Sequence, residues 1–178
     1  MNIIEHYHVK YGFYRYILRL PTIYGYHPSP FYYLDGKKKW LGYRFLIEQA
    51  IKGETLEIWG NPQNVKEMVC IRDLVHLMDC CLKSQVEGGI YNVGCGHPVT
   101  FEEQMKTIAE VFKTSKQSEI IYKPEKPSSP QFILDITKAR KELGYNPKYD
   151  IKLLMEDYRK DLYLEPFHKL LGKRSDYI

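Results

Sequence analysis

The chain has 178 residues, 44% hydrophobic and 27% charged, with a formal charge of +4. That is enough for one good core, and the length alone points to a single globular domain. The charges of both signs are interspersed, so the weak positive balance suits a phosphorylated ligand and argues against a nucleic-acid binder; no apolar run is long enough to span a membrane.

No signal peptide is recognised, which together with the cysteines points to the cytoplasm. Cys70, Cys80, Cys81 and Cys95 form no C-x-x-C pair, and their spacing to His76 or His97 matches no zinc pattern, so they read as reduced core cysteines and no metal site is expected. Tyrosine is abundant, at 16 residues, several of them between Tyr7 and Tyr43. Such clusters suit clefts for sugars or aromatic rings, and equally suit half-buried surface.

In chain order, residues 1–10 read as the tail of a helix ended by Gly12. Tyr14 to Leu20, stopped by Pro21, reads as a buried parallel strand. Residues 25–38 are expected to form a Gly/Pro/Tyr-rich loop, with Lys37-Lys38-Lys39 solvated or in contact with an anion. A helix from about Trp40 to Lys52, with Leu41, Phe45 and Ile51 inward, is stopped by Gly53. Leu56 to Trp59 and Glu67 to Ile71 are short strands. Asp73 is a candidate cap for the helix carrying Leu74, Leu77, Met78 and Cys81.

After Gly88-Gly89, Ile90 to Val93 reads as a strand and Gly94 to Pro98 as a tight loop. Thr100 and Glu103 have capping-box spacing ahead of Met105, Ile108 and Phe112. A strand at Glu119 to Tyr122 leads into a Pro/Ser loop, Lys123 to Pro130. A short helix from Thr137 to Leu143 ends at Gly144, and Asp150 caps a last long helix carrying Ile151, Leu154, Met155 and Tyr158. Residues 172–178 are expected to fray.

Four segments carry a resemblance: Leu18-Arg-Leu-Pro-Thr-Ile-Tyr-Gly25; Gly53-Glu-Thr-Leu-Glu-Ile-Trp-Gly60 with the later Arg72-Asp73-Leu74-Val75; Ile90-Tyr-Asn-Val-Gly-Cys-Gly96; and Asp135-Ile-Thr-Lys-Ala139 with Leu143-Gly-Tyr-Asn-Pro147. In this order they resemble the NAD-dependent epimerase/dehydratase group of the extended short-chain dehydrogenase/reductases, and only its C-terminal half. No G-x-G-x-x-G or G-x-x-G-x-x-G turn occurs in these residues, and no Tyr-x-x-x-Lys precedes the strand at residues 14–20.

The resemblance implies an α/β fold: the last parallel strand or strands of a Rossmann-type sheet plus the small α/β substrate-binding lobe. Residues 1–178 would be the C-terminal, substrate-binding part of an epimerase or dehydratase, with the N-terminal NAD-binding Rossmann part absent from this chain. NAD would serve the full-length enzyme, none would be bound by this chain alone, and no catalytic residue would lie in it. The implied ligand is a UDP- or dTDP-linked sugar, in a protein that would be UDP-glucose 4-epimerase-like and inactive alone. The alternative is a non-catalytic nucleotide-sugar binding or assembly module.

By the same resemblance, Pro21 would sit near the nicotinamide, while Thr22, Tyr24 and His27 would line the substrate cleft, Thr22 replacing a family Asn. The loop ending at Trp40 and Leu41 would offer backbone N–H groups to the diphosphate, and Trp59 would cover the nucleobase, or else be a core tryptophan. Lys66 stands in Lys66-Glu67 where relatives often have Arg-Asp, and Lys126, or Glu125 in another register, stands at a second phosphate-binding Arg. Lysine keeps the charge and loses the bidentate fork. Partners would be the nucleotide sugar, the missing Rossmann half and further copies of the chain, since a bare strand edge and apolar surface favour self-association; neither nucleic acid nor a membrane is expected.

Overall fold

The computed structural model describes residues 3–128 and 130–178; the first two residues of the expected helix tail, and Ser129 in the Pro/Ser loop, lie outside them. In chain order the elements are α1 (Ile3–Tyr11), β1 (Arg15–Arg19), β2 (Thr22–Tyr24), β3 (Phe31–Leu34), β4 (Lys37–Trp40), α2 (Gly42–Lys52), β5 (Leu56–Trp59), β6 (Val65–Lys66) and β7 (Met68–Cys70). There follow α3 (Ile71–Lys83), β8 (Gly88–Asn92), β9 (Val99–Thr100), α4 (Phe101–Val111), β10 (Ile120–Lys123), α5 (Thr137–Leu143), α6 (Ile151–Leu164), α7 (His168–Leu171) and a 3-10 turn, Arg174–Asp176. They divide into two compact units, neither continuous in sequence.

The first unit comprises Met1–Tyr24, Glu67–Pro98 and Phe132–Tyr149. Its strands pair in parallel, β1 with β8 from Arg15↔Gly88 to Arg19↔Asn92, and β2 with β7 from Thr22↔Met68 to Tyr24↔Cys70. Gly88 opens β8 at φ 140°, and a Cβ there would lie 1.8 Å from the Arg15 carbonyl oxygen, so only glycine admits this approach. Leu74 and Leu77 of α3, Tyr91 and Val93 on the β8 side, and Ala139, Leu143 and Tyr145 form one buried cluster. Each large side chain buried there contributes about 1.5–3 kcal/mol.

The second unit comprises Gly25–Lys66, Val99–Gln131 and Asp150–Ile178. Parallel β5 and β10 pair from Leu56↔Ile120 to Trp59↔Lys123, and β6 pairs antiparallel with β9. Along β5, Leu56 and Ile58 are buried while Glu57 and Trp59 face out, the alternation a half-buried strand requires. Thr100 caps α4 through its hydroxyl, which accepts from Glu103 N at 3.1 Å, and the Asp150 carboxylate caps α6 by accepting from Leu153 N at 2.8 Å. Gly53 and Gly144 close α2 and α5 in left-handed conformation.

Five local expectations are corrected. Residues 31–40 form an antiparallel hairpin, not a loop, with Tyr33↔Lys38 and Leu34↔Lys37 beside a turn whose Asp35 and Gly36 have φ 50° and 71°; two positive φ values in succession make the tight turn that matches strand twist. The buried face of α2 is Tyr43, Ile47 and Ala50, with Phe45 exposed, because Arg44 and Glu48 also turn inward. The strand expected at residues 67–71 is β7, Met68–Cys70, with Ile71 already opening α3, and Met78, expected inward on α3, is exposed. Asp73 lies inside the first turn of α3, and its carboxylate accepts from Lys148 N (3.0 Å) and Tyr149 N (3.1 Å) instead of capping the helix. The terminal segment does not fray: Arg174 is paired with the buried Glu48 carboxylate and donates its backbone N–H to Glu165 Oε1 at 2.7 Å.

Candidate functional site

Within the second unit the parallel pair β5–β10 brings two of the expected residues together. Trp59 is the last residue of β5 and is 47% exposed, so it is not a core tryptophan. The Lys126 ammonium lies 5.3 Å from its ring centroid, a cation over an indole face. The indole Nε1–H donates to Glu57 Oε2 at 2.8 Å. Glu57 is two residues earlier on the strand, hence on the same face, a signal that could have placed it beside Trp59 from sequence.

The turn after β5 is tied to the loop after β10. Gly60 N donates to Lys123 O at 3.0 Å, and Asn61 N to Ser128 Oγ at 2.8 Å. Gly60 has φ 67°, and a Cβ on it would come 2.1 Å from Ser128 Oγ. The loop is thereby held to the end of the strand, with Lys126 in it. Ser128 had no signal in the sequence, because its partner lies 67 residues away.

Lys66, also in this unit, is half-buried with its ammonium 5.5 Å over the Phe101 ring, and desolvation holds its pKa below the usual lysine range. Leu41 precedes α2 and donates its N–H to Pro30 O at 3.0 Å, and its carbonyl accepts from Arg44 N and Phe45 N at 3.0 Å in the first turn of that helix. His27 is exposed, its Nδ1 accepting from Ser29 N at 3.1 Å. Arg44, 5% exposed, donates to the carbonyls of Gly25, His27 and Ser29 and so fixes this loop against α2.

In the first unit, Pro21 is buried just past the carboxyl end of β1, where open α/β sheets bind ligands. Thr22 is exposed and Tyr24 buried at 6% exposure, both on β2. Glu67, a buried carboxylate, accepts from Leu134 N at 2.9 Å and faces the Cys95 thiol at 3.7 Å, and a Cβ on Gly94 would sit 2.7 Å from its Oε1. It therefore joins three separate segments of this unit. Burial pushes the Cys95 thiol pKa up, so the thiol stays protonated. Among the described residues no group of three or more His, Cys, Asp or Glu could hold a metal ion, and no helix is long and apolar enough to cross a membrane.

Parallel strands flanked by helices, with a left-handed glycine stop after α2 and an aromatic ending β5, define an α/β protein of the Rossmann type. The family model described as the NAD dependent epimerase/dehydratase family matches residues 1–94, and the chain belongs to that family. The dTDP-4-dehydro-6-deoxyglucose reductase of Escherichia coli is 31% identical over 93 residues, 52% of this chain and 29% of its own length. The UDP-glucose 4-epimerase of Mycoplasma pneumoniae is 23% identical over 123 residues, 63% of this chain and 36% of its own. Among solved structures, the UDP-glucose 4-epimerase of Thermotoga maritima with UDP-glucose superimposes with a TM-score of 0.65 at 27% identity, covering 89% of this chain and 50% of that one. The chain thus spans about a third of the length of these curated relatives and half of the solved enzyme.

Proposed function

We propose that the chain is the nucleotide-sugar-binding part of an NAD-dependent epimerase or dehydratase, nearest in kind to a UDP-glucose 4-epimerase, and that it does not turn over alone. The observation that carries this reading is the Trp59–Lys126 pair on the end of a parallel strand: an exposed flat ring for a nucleobase beside a cation for a phosphate. The ring is held in place by Glu57. In the same unit, Lys66 supplies a second cation and the loop ending at Leu41 is the candidate contact for the diphosphate; in the first unit, exposed Thr22 is a candidate contact for a sugar hydroxyl. Pro21, at the carboxyl end of β1, is the contact offered to the nicotinamide. This fits NAD only at its edge, so the cofactor is held by a Rossmann part outside these residues, and the hydride chemistry it supplies belongs there.

The test is binding. Titration with UDP, dTDP or UDP-glucose should shift the NMR signals of the Trp59 indole N–H and the Lys66 amide, and Trp59→Ala should weaken binding about tenfold or more, since stacking on a base is worth about 1–3 kcal/mol. Unmoved signals at millimolar nucleotide sink the reading, and a measurable epimerase rate from the chain alone sinks the claim that it is inactive. A second reading, a binding or assembly module without chemistry, is supported by Lys66 at the first expected arginine position and by Glu125 or Lys126, neither of them arginine, at the second. DNA upstream of the Met1 codon that encodes a glycine-rich βα turn and a Tyr-x-x-x-Lys decides for the enzyme; its absence decides for the module.

A further inference from the structure

We propose that the β3–β4 hairpin is a peripheral docking surface for an anionic lipid bilayer. From Tyr32 to Lys39 every residue of the hairpin is exposed, with Tyr33 at 72% and Leu34 at 47%. Each of Tyr32, Tyr33 and Leu34 on β3 stands opposite a lysine on β4: Lys39, Lys38 and Lys37. The turn is set by Asp35 and Gly36, and Asp35 is the sole acid among these eight residues.

An isolated two-stranded ribbon is marginal in water, yet this one is fastened at its base. Leu41 N donates to Pro30 O at 3.0 Å, and Phe31 meets Trp40 edge-on at 4.6 Å, as Trp40 meets Phe45 of α2 at 5.9 Å. Lys38 lies 3.8 Å from the Phe31 ring centroid. The base is therefore rigid, while the tip presents an aliphatic and an amphipathic aromatic side chain to solvent.

Charge complementarity selects the occupant. With about 3.4 Å per residue, the three ammonium-bearing positions fall within about 10 Å of the turn, close to the Debye length at physiological salt. A tip seated at the headgroup level, where tyrosine prefers to lie, brings all three lysines into the surface potential of an anionic leaflet. Leu34 at the turn has no use in stacking on bases, whereas an aliphatic side chain can enter the headgroup–acyl boundary, which favours a bilayer over a nucleic acid.

The test is co-sedimentation of the 178-residue chain with phosphatidylcholine vesicles, with and without phosphatidylserine. Binding is expected only to the vesicles containing phosphatidylserine, and molar salt should abolish it. A lysine near such a surface contributes about fivefold, so the triple variant Lys37→Gln/Lys38→Gln/Lys39→Gln should bind about a hundredfold more weakly. The variant Tyr33→Ser/Leu34→Ser, which keeps every charge, should bind several-fold more weakly. Should either variant fail to fold by its urea transition, the salt series on the unaltered chain decides in its place. No binding to the anionic vesicles, binding indifferent to salt or to either folded variant, or binding to a single-stranded oligonucleotide in preference to the vesicles overturns the proposal.

Discussion

In α4 five of eleven residues are buried; in α1 none of nine is. The strands differ in the same way. Along β5 buried and exposed residues alternate, whereas β1, paired with β8, has no buried residue. Yet the segment before β2 is rich in apolar side chains: Ile3 is 76% exposed, Val9 78%, Phe13 58% and Tyr14 56%. Apolar content and apolar burial are separate properties. What holds α1 to β1 is mostly local, an Arg15–Glu5 ion pair at 2.9 Å and stacking of Phe13 on Tyr7 and Tyr11. We propose that this uncovered apolar surface is an interaction face, for a further Rossmann strand or a second copy of the chain.

The sharpest way to break this contrast is a matched pair of truncations. Ile108→Ala in α4, where the side chain is fully buried, should cost about 3–4 kcal/mol in urea unfolding. Val9→Ala in α1 should cost less than about 0.5 kcal/mol; equal losses would mean that α1 is packed after all. Next in size, Glu67→Ala leaves Leu134 N without its acceptor and should cost about 2–3 kcal/mol, with Glu67→Gln recovering part of it.

Association comes third. The unaltered chain should show concentration-dependent mass in light scattering, and Ile3→Ser/Phe13→Ser should raise the concentration needed about tenfold, a change of about 1.4 kcal/mol. A monodisperse monomer at high concentration would refute the uncovered face. The smallest effect is the dependence on pH at Glu102. Its pKa is lowered by the Lys106 ammonium first and then by the Tyr122 hydroxyl. A depressed carboxylate adds stability that is present above its unfolded pKa and lost as pH falls through the folded value. The urea midpoints of the unaltered chain and Glu102→Gln should therefore differ at neutral pH and converge in acid.

The elements legible in the sequence were those whose determinants are local. Thr100 and Asp150 accept from amides three residues on, and Gly53 and Gly144 stop α2 and α5, so the starts of α4 and α6, the end of α2 and both ends of α5 were readable. The hairpin was also written locally, in Asp35-Gly36 between aromatic and lysine runs, but the surrounding glycine, proline and tyrosine masked it as a loop. What could not be read depends on distant partners. Asp73 serves amides 75 and 76 residues on, and Arg174 reaches a carboxylate 126 residues back. Arg44 and Glu48 face inward against the hydrophobic pattern of α2, because backbone carbonyls and Arg174 await them there. Of the candidate site, the aromatic and cation types were readable, whereas the contact of Lys126 with Trp59 required the pairing of β5 with β10.

The interleaving of the two units has a consequence for synthesis. The chain passes between them at Tyr24/Gly25, Lys66/Glu67, Pro98/Val99, Gln131/Phe132 and Tyr149/Asp150. At about 5–20 residues per second on the ribosome, Asp73 emerges on the order of 4–15 s before the amides it will hold. During that interval a carboxylate destined for burial stays in water, and the first unit cannot close from its N-terminus. Its completion is timed by the emergence of Tyr149.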